Sequence, residues 1–347
     1  MKLVMTLLVR DEVDIVDAQI AFHLNAGVDF VVATDNRSED GTTKILERYA
    51  REGHLHLIRE PGEDLRQSEW VTRMARLAAT DFEADWVLNA DADEFWWPLG
   101  ADLKDVLSAI PSHFGVVRGA WRNFVPRPGG HELFAERMTA RLCTPSFHPH
   151  PLSTHSKSAH RATPDVRIGR GNHEAFADGL APLRGWYPIE ILHFPVRSFE
   201  QCMRKYVTQF VALERNAEKG IPGHMADAYS AFKNGSLEDF YAPLVVDDDE
   251  LERGLESGSL VIDTRLRDAL RALGFGARDG DAAPGLGLSR PDVIESASYA
   301  AEYSALQESD IGLALGSRVD ELEQRIAVLE RGSLSRLRST VLRGSRR

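Results

Sequence analysis

Residues 85–97 read Asp85-Trp86-Val87-Leu88-Asn89-Ala90-Asp91-Ala92-Asp93-Glu94-Phe95-Trp96-Trp97. The apolar run Trp86-Val87-Leu88 is long enough for a buried strand end, and it delivers Asp91, Asp93 and Glu94 within four residues. Side chains two apart on an extended segment point the same way. Asp91 and Asp93 are therefore expected on one face at the C-terminal edge of a strand, the edge where open α/β sheets bind ligands. Carboxylates this close repel unless a cation or donor sits between them. Oxygen ligands with room for phosphate oxygens suit Mg²⁺ or Mn²⁺. The bland alternative is an acidic strand-to-loop turn with capping aspartates. The apolar strand before the motif and Phe95-Trp96-Trp97 after it favour a site.

Outward from this stretch, the chain reads as strand and helix in alternation. Leu3–Val9 is a strand, and Asp14–Asn25 has helical spacing with Ile15, Ala18, Ile20 and Phe22 inward and Gly27 as its stop. Asp29–Asp35 is the second strand. After the turn Asn36–Thr42, Thr42 or Thr43 is expected to cap a helix running through Tyr49. His54–Arg59 is the third strand, and Gly62–Ala79 a helix leading back to the strand Asp85–Ala90. This alternation predicts an α/β fold with a mostly parallel sheet and right-handed crossovers. Three strand ends then bring polar groups to one edge: Arg10-Asp11-Glu12, Asp35, and Asp91 with Asp93. That convergence points to a nucleotide or phosphate site. Neither Gly-x-x-x-x-Gly-Lys-[Ser/Thr] nor Gly-x-Gly-x-x-Gly after the first strand is present, which argues against P-loop and dinucleotide enzymes and leaves a metal to carry the phosphate charge.

The 347 residues are 43% hydrophobic and 27% charged, an ordinary globular composition with enough length for a large core. A net charge of −12 argues against a broad nucleic-acid surface. Two cysteines, Cys143 and Cys202, without paired metal spacing fit a reducing compartment. Arg10-Asp11-Glu12 ends the first apolar run early and no small-residue cleavage site follows, so Met1–Val9 reads as a strand and not a signal. No run approaches the roughly 18–20 apolar residues of a membrane span. The expected location is cytoplasmic, with peripheral contact at the inner membrane face as an option for the basic tail.

Val9-Arg10-Asp11-Glu12, then Thr34-Asp35-Asn36-Arg37-Ser38-Glu39-Asp40-Gly41-Thr42, then Asp91-Ala92-Asp93-Glu94-Phe95 together resemble family 2 glycosyltransferases of the GT-A fold, in the bacterial subgroup with an Asp-Ala-Asp-Glu-Phe metal motif. The resemblance covers roughly residues 1–210. It implies that Asp35 contacts the nucleotide base, that Asp91 faces the ribose or metal, that Asp93 holds the cation through the diphosphate, and that Glu94 stands behind them. Asp35 also reads as a plain Asx-turn residue. Arg10 and, on the helix before the metal strand, Arg73 are candidates for the nucleotide, since Arg can grip a diphosphate bidentately. Arg66 and Arg73 equally fit a solvated helix face.

Beyond Pro98 come a helix, Leu103–Ile110, a strand, Gly115–Trp121, and the loop Trp121–Gly130, whose aromatic and Arg residues offer a platform for sugar rings. In the family this half faces the acceptor. His148, His150, His155, His160 and His173 raise the question of zinc, but their spacing matches no zinc motif. Lys157 and Arg161 add basic groups where the family often has one. A short strand, Val166–Ile168, precedes Gly169-Arg170-Gly171-Asn172-His173-Glu174. An inverting transfer needs a carboxylate within reach of the acceptor hydroxyl, and Glu174 after this glycine loop is the candidate base. The Glu-Asp pair usual in the family is absent, and Asp165 and Glu190 are rivals. The apolar strand before His193 delivers it where the family's histidine completes the metal shell.

Phe199–Glu218 is a helix with a core-facing stripe. Val246–Glu250 reads as a solvated acidic turn. The expected division is a GT-A domain at 1–210, a helical extension at 211–273, a linker at 274–300, and a C-terminal helix with a short coiled coil and basic tail at 301–347. A homo-oligomer through that helix is an option. The expected activity is transfer of a hexosyl group from a UDP- or GDP-sugar to a glycan, lipid-linked or small-molecule hydroxyl acceptor, assisted by Mn²⁺ or Mg²⁺ and inverting. The alternatives are a non-catalytic carbohydrate-binding or scaffold protein of the same fold, and a metal-dependent phosphohydrolase.

Overall fold

A computed structural model of the chain describes residues 1–62, 66–100, 102–129, 132–143, 156–215 and 226–276. Strands β1 (Leu3–Val9), β2 (Phe30–Asp35), β3 (Leu55–Arg59) and β4 (Trp86–Asp91) are parallel neighbours in the order β3-β2-β1-β4. Helices α1 (Val16–Asn25), α2 (Thr42–Arg51) and α3 (Gln67–Thr80) connect them in turn. The apolar run of β1 is buried on both faces: Leu3, Met5 and Leu7 join one core layer and Val4 the other. The stripe Val71, Met74, Ala75 and Ala78 of α3 covers the second layer, while α1 sends Ala18 and Phe22 into the first. Each buried Val, Leu, Met or Phe side chain among them contributes about 1.5–3 kcal/mol.

Beyond β4 the sheet continues through β8 (Ser156–Arg161), β6 (Val116–Asn123), β11 (Ile189–His193) and β5 (Glu94–Pro98). Only β5 and β8 run against the other six strands. The fold is thus the expected α/β class, a mostly parallel sheet flanked by helices. The position of β5 has a geometric consequence. Four strand spacings of about 4.8 Å separate it from β4, about 19 Å on a flat sheet. Yet only Ala92 and Asp93 lie between Asp91 and Glu94, a span of about 10 Å fully extended. The sheet must therefore curl, and its far edge returns to β4. The turn Ala92–Asp93 also corrects the sequence reading: Asp93 is not on the strand, so Asp91 and Asp93 do not share a strand face. Phe95-Trp96-Trp97, buried throughout, form β5 itself.

A buried histidine ties this edge down. The Trp96 backbone N–H donates to His23 Nε2 at 3.1 Å, and His23 Nδ1 bonds the Gln19 carbonyl at 2.7 Å. Burial pushes the His23 pKa down to about 4, so the ring is neutral.

Other boundaries differ from expectation for local reasons. Gly41, at φ +113°, is the N-cap of α2, while Thr42 and Thr43 turn their hydroxyls to Asp40 and Asp35. Residues 247–250 start helix α9 (Asp248–Ser257) with a capping box between Asp247 and Glu250. After α6 (Phe199–Arg215), the segment read as a helical extension also holds β12 (Leu260–Ile262), which pairs with β7 (Ala140–Leu142). Arg265 then bonds Glu190 on β11 at 2.7 Å and Asp263 at 2.6 Å. Arg122 and Arg141 complete this buried cluster from β6 and β7. His148, His150 and His155, the greater part of the 274–300 linker and the whole of 301–347 lie outside the described residues. Among the described residues, no helix is long and apolar enough to cross a membrane.

Candidate active site

The curl of the sheet gathers one side chain from each strand end at its mouth: Asp91 from β4, Lys157 from β8, Trp121 from β6, His193 from β11 and Glu94 from β5. They line a cavity of about 480 Å³ together with Arg10, Glu12, Asn36, Asp93, His173 and, from α6, Lys205. Lys157 is buried, and its ammonium pairs with Asp91 and, at 3.0 Å, with Glu94. Asn172 Nδ2 donates to the other Asp91 oxygen at 3.1 Å. Glu94 is fully buried, accepting from Trp121 Nε1 and from the Asp91 backbone N–H, each at 3.1 Å. Burial pushes its pKa up to about 8, against the pull of Lys157.

Asp93 sits in the turn, 2.6 Å from Lys205 Nζ. Burial would raise its pKa, but the positive charges of Lys205 and Arg197 hold it below the usual carboxylate range. His193 Nδ1 bonds Asn123 Oδ1 at 2.7 Å. Burial first, aided by the nearby lysines and against the pull of Asp93, pushes its pKa down to about 3, so the ring is neutral. With its proton on Nδ1, Nε2 presents a lone pair, and that lone pair faces Asp93 Oδ1 at 3.8 Å. The ring also stacks on Trp121 at 4.4 Å between centroids.

Two acceptors facing each other across this gap are the arrangement a cation satisfies. Among the described residues, Asp93, Glu94 and His193 each offer one ligand atom, all within 4.8 Å of one another. Charge agrees. Among the residues lining the cavity, the carboxylates Glu12, Asp91, Asp93 and Glu94 face the cations Arg10, Lys157 and Lys205, an excess of negative charge that a divalent ion offsets. Without it, Glu94 and Glu12, whose pKa burial pushes up to about 7, are the groups that take protons. The residues therefore fit a divalent cation. The trio differs from the expected one: Glu94 joins Asp93 and His193, while Asp91 is held by Lys157 and Asn172.

The loops after β1 and β2 interlock to build the opposite wall. Ser38 Oγ accepts from Asp11 N at 3.0 Å, and Asp11 Oδ1 accepts from Glu39 N at 2.7 Å, with Asp11 at φ +56°. Asp35 is 4% exposed and accepts from Ser38 N at 3.0 Å and Thr43 Oγ1 at 2.5 Å. Its carboxylate thus shapes the loop, and the neighbouring Asn36 faces the cavity and accepts from Arg10 at 3.3 Å. Arg73 pairs with Glu60 at 2.5 Å and does not line the cavity. Glu174 and Asp165 line a different cavity, and Glu190 is buried in the Arg122–Arg265 cluster. Of the residues that form the site, Lys205 and Arg197 escaped the sequence reading. Lys205 stands inside the apolar stripe of α6, and a cation there was the available signal. Arg197, 1% exposed, bonds Glu12 and Asp14 and so locks the corner after β1 to the segment after β11.

Residues 6–113 match the model of glycosyltransferase family 92. This is a different glycosyltransferase family from the family 2 suggested by the motifs. No curated protein matches the chain. Among solved structures, S. aureus TarS residues 1–349 in complex with UDP-GlcNAc is 17% identical, over 47% of this chain and 46% of that one, with a TM-score of 0.32. A mycobacterial protein is 15% identical over 59% and 72%, TM-score 0.31. The glucosyl-3-phosphoglycerate synthase of Mycobacterium tuberculosis, in complex with Mn²⁺, UDP and glucosyl-3-phosphoglycerate, is 17% identical over 46% and 57%, TM-score 0.27. The chain spans less than half the length of the TarS chain it matches. Residues carrying the first two strand ends and the whole Asp91–Glu94 turn fall inside the matched family segment, and that match supports a glycosyltransferase.

Proposed function

We propose that the chain transfers a sugar from a UDP- or GDP-sugar to a hydroxyl acceptor, using Mn²⁺ or Mg²⁺ held by Asp93 and His193 with Glu94. The observation that carries this reading is the pair of acceptors, His193 Nε2 and Asp93 Oδ1, facing each other at 3.8 Å in a cavity whose lining carboxylates outnumber its cations. When bound, the cation supplies Lewis-acid stabilisation of charge on the departing diphosphate. Arg10 and Asn36, hydrogen-bonded to each other on the opposite wall, would meet the nucleotide, with Asp35 holding their loop in shape. Lys157 keeps Asp91 and Glu94 together, so the acidic turn is organised before a donor arrives. Trp121, stacked on His193, lines the cavity where a sugar ring would lie. The acceptor proton needs a carboxylate lining this same cavity. Glu12 meets that condition, while Glu174 would do so only for an acceptor reaching from the neighbouring cavity. In-line displacement by the acceptor oxygen would invert the anomeric carbon.

Calorimetric titration with UDP and with GDP, with and without Mn²⁺, tests the reading. Metal-dependent binding of one nucleotide is expected, lost in Asp93→Ala while the thermal melt stays cooperative. If the folded protein binds neither nucleotide, a non-catalytic role replaces this proposal.

A further inference from the structure

On the sheet face covered by α3 lies a second cavity, of about 650 Å³. That volume is in the range of small-molecule sites. Four arginines reach it from four separate pieces of chain: Arg76 from α3, Arg118 from β6, Arg167 from β9 (Arg167–Ile168) and Arg184 from the segment before β11. Three carboxylates, Asp165, Glu174 and Asp178, also line it, so positive charge is in excess. The arginines are not equivalent. Arg118 is 5% exposed and forms the floor, on a central strand. Burial pulls its pKa below the ordinary value, against the favourable charge of Glu174, and Arg184 adds repulsion. The other three sit at the exposed mouth. Arg167 lies over the Phe176 ring at 5.2 Å, and Arg76 Nε donates to the Val166 carbonyl at 2.8 Å, so both guanidinium groups are oriented.

We propose that this cavity binds the phosphate group of a small phosphorylated molecule, with Arg118 at its floor and Arg76, Arg167 and Arg184 around its mouth. Four guanidinium groups against three carboxylates leave one positive charge, which a bound anion would offset. A guanidinium fork matches phosphate geometry, and the three outer oxygens of a phosphate can engage several forks at once. A single carboxylate offers only two oxygens to four forks. Leu180 and Phe176 give the rest of such a molecule an apolar wall. This site stands apart from the sugar-transfer reading. Between the two cavities runs the hairpin from Arg167 to Phe176, whose tip residues Gly171 and His173 line the first while its base lines the second.

Titration of the full chain with inorganic phosphate, at constant ionic strength, followed by calorimetry, tests the proposal. Saturable binding is expected, with acetate at least about tenfold weaker. Arg118→Met should weaken phosphate about tenfold or more, the effect of losing one charge-assisted contact. Because Arg118 is buried, the double variant Arg167→Gln/Arg184→Gln, at exposed positions, provides an independent reading and should also weaken binding. Absence of phosphate binding by folded protein overturns the proposal. So does unchanged affinity in the double variant, or acetate binding as tightly as phosphate.

Discussion

Glu190→Gln is the substitution that most directly tests how the site is held. Glu190 accepts from Arg122 Nε at 2.8 Å and from Arg265 Nη1 at 2.7 Å, and all three side chains are less than 10% exposed. Burial opposes its charge, but Arg122 and Arg265 hold its pKa at about 2, against an ordinary 4.5. That difference corresponds to about 3 kcal/mol of stability at neutral pH. Removing one partner of a buried pair costs about 3–5 kcal/mol by a separate route, so the two agree. Because the folded-state pKa is depressed, the contribution is complete above the ordinary value and fades as pH falls from 4.5 towards 2. At pH 3 roughly 2 kcal/mol of it is gone. Urea unfolding of wild type and variant at both pH values reads this directly. The expected gap is about 3 kcal/mol at pH 7, shrinking to about 1 kcal/mol at pH 3. A gap below about 0.5 kcal/mol at pH 7, or one that does not shrink with acid, would refute the reasoning. The result also separates roles: Glu190 as a proton acceptor in catalysis predicts lost activity with stability intact.

Two further substitutions probe the curled edge. His23→Leu leaves the Trp96 backbone N–H without its acceptor, and a loss of about 1–3 kcal/mol is expected in thermal or urea unfolding. Gly119→Ala places a Cβ 2.8 Å from Ile191 on the neighbouring strand, so about 1–3 kcal/mol of overpacking is expected, with weaker Mn²⁺ binding if β11 shifts His193.

Much of the first half was legible because its signals are local. Leu3–Val9, Asp29–Asp35 and the run ending in Asp91 are apolar stretches with polar ends, and alternation with helical spacing forces a parallel sheet whose ends share an edge. The same logic placed His193 at the end of an apolar strand. Arg73 and Glu174 show where it stops. Arg73 has the right chemistry on the right helix, but its face turns to Glu60. Glu174 follows a glycine loop as a base might, but it looks into the neighbouring cavity.

Sequence by itself determined the strand–helix alternation, the acidic turn at 91–94 and the polar edge, because each depends on residues close along the chain. Only the tertiary structure decided which acidic groups act together. The curl of the sheet brings β5 back to β4, replaces Asp91 by Glu94 beside Asp93 and His193, and sets Lys157 and Lys205 among them. Lys205 is 112 residues from Asp93 along the chain. Pairings of that kind arise from the closure of a whole sheet, and no periodicity or spacing in the chain encodes them.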